Sequence, residues 1–473
     1  MERAIWDRVS IPSQSITTIL WLLSWLIYVS NDRKALEELL QQSISSKQLN
    51  VYNRYYIWNQ VKRIQFVCKD LSTEETGRCY KLLYQQIYKE YYENFKTQLK
   101  RIPKEEREKD TILVLSYSFL GERHAPTRTT LERVYTLGKL LGKKVVLINT
   151  RETLTKLGML PLYYNNGRTL IEEYSRIDSY QYKDYTFQFH QPDNEMPEFN
   201  EISKLIEFVK SMKPYFILNI GGSILADLCS NMVPVLSMSL VFSTLPVTMS
   251  KLSILGRQLK EKEWESLLQQ GYDRDSIIES RFTFDLIDKH SEITRESLQL
   301  PKDRFLLVVV GIRLDSDINE EFIHAMERTF TLGTHLVFAG KFDNYDRYCE
   351  RFTNLKDYST YIGYCNDMLA LNSICDLYVN PHRMGGGFSI IEAFHEGVPG
   401  VTTDYGDVAT AAGEEFCVDD YEEMIVTIKR YMEDREFYHY MSERAKERAV
   451  LMTDSISAME EIICKAERSK YFF

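Results

Sequence analysis

No apolar run in this 473-residue chain reaches the roughly 20 residues that a membrane-spanning helix needs. The longest, Ile16 to Val29, is broken by Thr17, Thr18 and Ser24, follows the acidic Glu2 and Asp7, and lacks a small-x-small cleavage site. It reads as a buried helix rather than a span or a signal peptide, with peripheral membrane contact left open. The eight cysteines form no C-x-x-C pair and have no histidine at ligand spacing, which argues against a zinc site and a disulfide framework. A reduced, cytoplasmic protein is expected. Positive charge is also scarce: 58 Lys plus Arg against 68 Asp plus Glu leave a net charge of -10, so nucleic acid is not expected as a partner. Solenoid repeats and low-complexity segments are missing too. What is present is 44% apolar residues, with 31 Tyr and 23 Phe, enough to bury the cores of roughly two to four domains.

The spacing divides the chain into four parts. Residues 1–105 carry only helical periodicity, as in Leu36, Leu39 and Leu40 or Tyr84, Ile87, Tyr91 and Phe95, and form a helical domain for acceptor or partner recognition. The charged run Lys100 to Asp110 reads as an exposed linker. Residues 106–298 begin a strand–loop–helix–strand alternation: Thr111 to Phe119, a helix with Leu131, Val134, Leu137 and Leu141 on one face, Lys144 to Asn149, Tyr215 to Ile220, Val233 to Leu240, and a closing strand near Arg281 to Asp285. Residues 299–440 repeat the alternation, with strands at Phe305 to Val310, His335 to Ala339, Thr360 to Gly363, Asp376 to Asn380 and Val398 to Thr402. Residues 441–473 form a helical tail. The expected fold is α/β, two Rossmann-like halves facing a cleft and preceded by helices.

Chemistry concentrates in Asn380 to Gly413, NPHRMGGGFSIIEAFHEGVPGVTTDYGDVATAAG. Three consecutive glycines before a helix let backbone N–H groups approach a diphosphate, and the helix N-terminus favours its charge. Glu392, one turn inside, suits the vicinal hydroxyls of a ribose. Gly-Gly-Gly-Phe-Ser-x-x-Glu-Ala followed by Gly-Val-Pro and a strand resembles the donor-binding half of GT-B fold glycosyltransferases, closely over about 305 to 420 and in architecture alone over 111 to 290. The resemblance implies transfer of a sugar from a nucleoside diphosphate donor, a UDP-sugar, with no cofactor, onto a protein, glycan or lipid-linked acceptor; it leaves homo-oligomerisation open. By position, Gly385, Gly386, Gly387 and Ser389 would hold the diphosphate and Glu392 the ribose, and Asp407 would contact the donor sugar. Arg313 and Lys341, at strand ends, would neutralise the leaving diphosphate, and Tyr361 and Gly363 fall where the family wraps the base. His382 and Arg383 flank the glycine loop, as phosphate contacts or as strand caps. The retaining subgroup has a glutamate eight residues before the ribose-binding one; Met384 stands there, which leans the stereochemistry towards inversion.

Asp315-Ser316-Asp317 has the form of a metal-binding D-x-D, but Asp317 to Glu320 reads as a capping box opening the helix Glu321 to Phe330, and no metal is expected. In the first half, the loop Gly121 to Thr129 places His124 after a strand. An imidazole titrating near neutrality suits a general base, with Glu122 the alternative. Gly221-Gly222-Ser223 reads as a tight turn with Ser223 as helix cap. Two other readings stay open: a nucleotide-sugar epimerase of the same fold, and a non-catalytic glycosyltransferase-like scaffold.

Overall fold

The computed structural model describes residues 2–11, 13–68, 71–122, 124–152, 171–194 and 196–473, with the backbone alone at 66 and 67. It contains two compact units, one of Met1–Leu240, Thr244–Glu279 and Met459–Phe473, the other of Val241–Ser243 and Ser280–Ala458.

The first unit opens with five helices: α1 (Glu2–Val9), α2 (Ile16–Ser30), α3 (Arg33–Ser45), α4 (Val51–Val67) and α5 (Glu74–Phe95). Polar caps start four of them. Ser15, Asp32, Asn50 and Thr73 each accept a hydrogen bond from a backbone N–H of the first turn. Tyr84, Ile87, Tyr91 and Phe95, the periodic stripe of α5, are all buried. The helices are not a free-standing unit, because their core residues, such as Leu39 and Leu83, belong to one cluster with Leu113, Leu115 and Ile217 of the sheet that follows. Two buried tyrosines tie them down: Tyr84 Oη donates to Asp227 at 2.5 Å and Tyr91 Oη to the Pro197 carbonyl at 2.7 Å.

That sheet has eight strands: β1 (Glu108–Ser116), β2 (Lys144–Asn149), β3 (Ser179–Tyr182), β4 (Tyr185–His190), β5 (Pro214–Ile220), β6 (Val235–Met238), β7 (Leu252–Leu255) and β8 (Ile277–Glu279). Their order is β3-β4-β2-β1-β5-β6-β7-β8, parallel except for the β3–β4 pair. β1 starts inside the charged run read as linker; its first three residues are exposed, and Asp110 pairs with Lys143 at 2.7 Å. The closing strand lies at Ile277–Glu279 rather than at Arg281 to Asp285. The apolar alternation of that stretch has another cause: Phe282 and Phe284 pack on Phe242, and Phe284 N donates to the Met452 carbonyl, all within the second unit.

The second unit holds a fully parallel six-stranded sheet: β9 (Phe305–Gly311), β10 (Thr334–Gly340), β11 (Ser359–Gly363), β12 (Leu377–Asn380), β13 (Gly400–Thr403) and β14 (Cys417–Val418), in the order β11-β10-β9-β12-β13-β14. Helices Tyr421–Glu433, Arg435–Thr453 and Ser455–Arg468 follow. The chain end returns to the first unit, where Phe472 packs on Tyr215 and Phe216, and Tyr215 Oη donates to Glu467 at 2.6 Å. Two α/β units, the first parallel but for β3–β4 and the second wholly parallel, with helices before the first strand, make this the GT-B architecture.

Candidate functional site

In the second sheet β9 neighbours both β10 and β12, so the chain leaves its C-terminal end towards one side while the loop after β12 leaves towards the other. Such a switch point opens a crevice for ligands. Arg313 follows β9 here, and the loop from Pro381 to Gly386 follows β12. Gly386 has φ +113° and caps the helix Gly387–His395; a β-carbon on it would lie 2.8 Å from Asn380 Oδ1 and 3.0 Å from Arg383 Nη2. Only glycine fits this turn. At Gly385 a β-carbon would stand 3.6 Å from Arg313 Nη2, so the guanidinium lies beside the glycine loop. Burial pulls the Arg313 pKa down, Asp317 raises it and Arg383 lowers it again. A cation, the half-buried backbone of Gly385 and Gly386 and the first turn of a nine-residue helix thus converge, a setting for a doubly charged anion.

Arg383 occupies the interior. Its side chain is 5% exposed, and the guanidinium donates to Asn380 Oδ1 at 2.9 Å, Asp317 Oδ2 at 3.1 Å, the Val310 carbonyl at 2.6 Å and Tyr378 Oη at 3.3 Å. It holds the ends of β9 and β12 together. The acids after β9 are engaged accordingly: Asp317 faces Arg383, and Asp315 accepts from the backbone N–H groups of Asp343 (3.0 Å) and Asn344 (2.7 Å). The cap of the next helix, Glu320–Phe330, is Asn319, whose side chain accepts from Phe322 N at 2.8 Å. The capping-box reading of Asp317 is corrected by two positions, because its carboxylate is taken by the buried arginine.

Ser389 is buried and its hydroxyl turns back to the loop, donating to the Gly386 carbonyl at 3.1 Å and meeting Tyr378 Oη at 3.0 Å. Glu392 is buried one turn on; its charge is among the causes that raise the Cys365 thiol, behind burial and Asp367. The residue proposed for ribose and the segment after Gly363 are therefore electrostatic neighbours. Tyr361 Oη donates to the Gly340 carbonyl at 3.1 Å and accepts from Phe342 N at 3.2 Å, while Gly363 takes φ +71° with open space at its α-carbon. Lys341 is exposed and pairs with Asp343 at 3.0 Å. His382 is exposed, its ring stacked 4.4 Å from that of Tyr405 and its Nδ1 3.1 Å from Thr403 Oγ1.

Asp407 opens the helix Gly406–Ala412 and donates its N–H to the Met384 carbonyl at 2.8 Å. Its carboxylate is buried and accepts from Ser243 N at 3.0 Å; burial pushes its pKa up to about 7 against the hydrogen bonds from Ser243 and Phe242. Nothing in the local pattern of residues 241–243 assigns them to the second unit. The sequence reading likewise missed Asn380 and Tyr378, which shape the glycine turn.

The first sheet has its own switch point, between β1 and β5. His124 caps the helix Ala125–Tyr135 after β1, its Nδ1 3.1 Å from Thr127 Oγ1. Burial pulls its pKa down to about 4, so the expected titration near neutrality is corrected. Glu122 is exposed and accepts from Tyr180 Oη at 3.4 Å; Arg123 lies outside the described residues. Ser223 caps the helix Ile224–Cys229 as expected.

Residues 290–448, about a third of the chain, match the family described as glycosyl transferases group 1. No curated protein matches the sequence. Among solved structures, a mutant O-GlcNAc transferase of Thermobaculum terrenum is similar over 100% of this chain and 93% of its own, at 13% identity and a TM-score of 0.59. A Rickettsia africae glycosyltransferase (14% identity, TM-score 0.53) and Anabaena HepE in complex with UDP (14%, 0.52) each cover 76% of this chain and 100% of their own.

Proposed function

We propose, from the premise that this chain is a GT-B fold glycosyltransferase with a group 1 donor domain, that it moves a hexosyl group from a UDP-sugar to a protein hydroxyl without a metal ion. The observation that carries the reading is the convergence of Arg313, the Gly385–Gly387 backbone and a helix N-terminus at the switch point of the second sheet. Arg313, with Lys341 as a second cation at the neighbouring strand end, neutralises the diphosphate as the glycosidic bond breaks. Glu392 takes the ribose hydroxyls, and the segment from Tyr361 to Gly363 borders the base. Ser389, His382 and Arg383 hold the loop in shape. UDP as the nucleotide is supported by the UDP complex of the HepE neighbour, transfer to a hydroxyl oxygen by likeness to an O-GlcNAc transferase, and a large acceptor such as a protein by the helices α1–α5 added to the first sheet. The engaged carboxylates of Asp315 and Asp317 support metal independence. The reaction takes place in the cytoplasm, with the donor on the second unit and the acceptor on the first. There His124, or else Glu122, removes the hydroxyl proton.

Titration calorimetry with UDP tests the site. A charge-assisted hydrogen bond is worth roughly 1.5–3 kcal/mol, so Glu392→Ala and Arg313→Ala should each weaken binding by about 10- to 150-fold. Unchanged affinity in both sinks the assignment. Transfer from UDP-hexoses to casein, read by mass spectrometry, should survive excess chelator; loss with chelator and recovery with magnesium or manganese would sink the metal-independent reading.

A further inference from the structure

Three side chains of α4 reach residues that follow the C-terminal ends of central strands of the first sheet. Tyr55, Asn59 and Lys62 follow one another at spacings of four and three, one stripe of a helix. Tyr55 Oη donates to Glu152 Oε2 at 2.6 Å and Asn59 Nδ2 to the Glu152 carbonyl at 3.0 Å. Glu152 also accepts from Ser223 Oγ at 2.6 Å and Ile224 N at 2.7 Å, so it joins α4 to the turn after β5. Lys62 goes further in. Its Nζ donates to the Gly221 carbonyl at 2.8 Å and stands 4.6 Å from the centre of the Tyr117 ring and 5.6 Å from that of Trp58. Tyr117 is the first residue after β1 and Gly221 the first after β5, the two strands that flank the switch point.

The fit is tight and particular. Gly221 has φ +86°, and a β-carbon there would fall 2.2 Å from Tyr117 Cε1, so the ring lies directly against the glycine. The ammonium closes this contact from the helix side. Drawing an ammonium partly out of water is costly, and Lys62 is half-buried here. A cation that spends its hydrogen bond on a turn carbonyl and its charge on two ring faces holds polar geometry in addition to filling space.

We infer that Lys62 is a positioning residue of the acceptor crevice, holding the Gly221 carbonyl and the Tyr117 ring together at the β1–β5 switch so that an acceptor hydroxyl is presented in register. The inference rests on the reading that places the acceptor on the first unit, and it gives the helical region a part in the chemistry of the site. Burial pulls the Lys62 pKa down to about 8 while Glu152 pulls it up. The other titratable groups around it are Tyr117 after β1, Arg63 on its own helix, and Tyr80 and Tyr84 of α5, whose rings pack on Trp58, the first stacked and the second tilted; burial raises all three tyrosines. The turn after β5 contributes none through Ser223. Loss of the Lys62 proton therefore falls at lower pH than the tyrosine titrations.

The test uses the full chain, casein as acceptor probe, and the variants Lys62→Met and Lys62→Arg. In Lys62→Met the KM for casein should rise about 10- to 100-fold, the scale of a misplaced substrate, with UDP affinity by calorimetry within about two-fold of wild type. The wild-type KM for casein should rise above pH 8 as the ammonium loses its proton, and Lys62→Arg should remove that rise. A Lys62→Met KM equal to wild type overturns the inference. So does an equal loss of casein KM and UDP affinity with a flat wild-type pH profile, which makes Lys62 a stability element alone. If wild type binds UDP but transfers nothing to casein, the protein-acceptor reading fails and the inference falls with it, an outcome distinguished from the others by the wild type itself.

Discussion

Arg383 Nη1 donates to Asp317 Oδ2 at 3.1 Å, across two strand ends whose residues lie 66 positions apart in sequence. Removing one member of a buried pair leaves the other charge without its partner, a loss of about 3–5 kcal/mol. Arg383→Ala should therefore lower the urea stability of the second unit by that amount and weaken UDP binding as the glycine turn loses its support. Arg383→Lys should rescue little, since one ammonium cannot serve Asn380, Asp317 and the Val310 carbonyl at once. Wild-type stability in Arg383→Lys would show that charge alone suffices.

The same pair shows what the sequence discloses. The glycine loop, its helix and Glu392 are contiguous, so local pattern revealed them, and the stripe of Tyr84, Ile87, Tyr91 and Phe95 revealed the buried face of α5. Arg383 stood undecided between phosphate contact and cap because its partners come from elsewhere: Asp317 and Val310 lie 66 and 73 residues away. Ser243 reaches Asp407 over 164 residues, and Lys62 reaches Gly221 over 159. Short strands such as β7 and β8, of four and three residues, carry too few side chains to show a period. The aromatic alternation of Phe282 and Phe284 looked like a strand because buried rings on an extended segment obey the same spacing.

Asp407 should make stability depend on pH. Its folded pKa of about 7 lies above the unfolded value of 3.8, so the native state binds more protons between these limits. The contribution is fully present below about pH 4 and is lost as pH rises through 7. Unfolding free energies from urea melts at pH 5, 6, 7 and 8 should fall in wild type by roughly 2–3 kcal/mol in total. Asp407→Asn, which keeps an acceptor oxygen for Ser243 N, should flatten that fall. Parallel slopes for the two proteins would remove Asp407 as the source.

His124 should act as a neutral base at every pH where the enzyme is assayed. Burial holds its pKa near 4, and Thr127, which accepts from Leu120 N at 2.8 Å, meets its Nδ1 at 3.1 Å and fixes the ring. A folded pKa below the ordinary 6.5 means that its contribution to stability is present above pH 6.5 and lost as pH falls through 4. Turnover should thus show no break between pH 8 and 5 from this group. In an inverting step, towards which Met384 leans, the acceptor oxygen bonds to the anomeric carbon, the carbon–oxygen bond to UDP breaks with its electron pair going to the diphosphate, and the hydroxyl proton passes to Nε2. A base this weak gives the lower part of the usual range, so His124→Ala should cut turnover about 10²-fold with UDP affinity unchanged. Near-normal turnover would pass the role to Glu122, whose carboxylate is exposed beside Tyr180. A product with the donor's anomeric configuration would remove the need for a base in this loop.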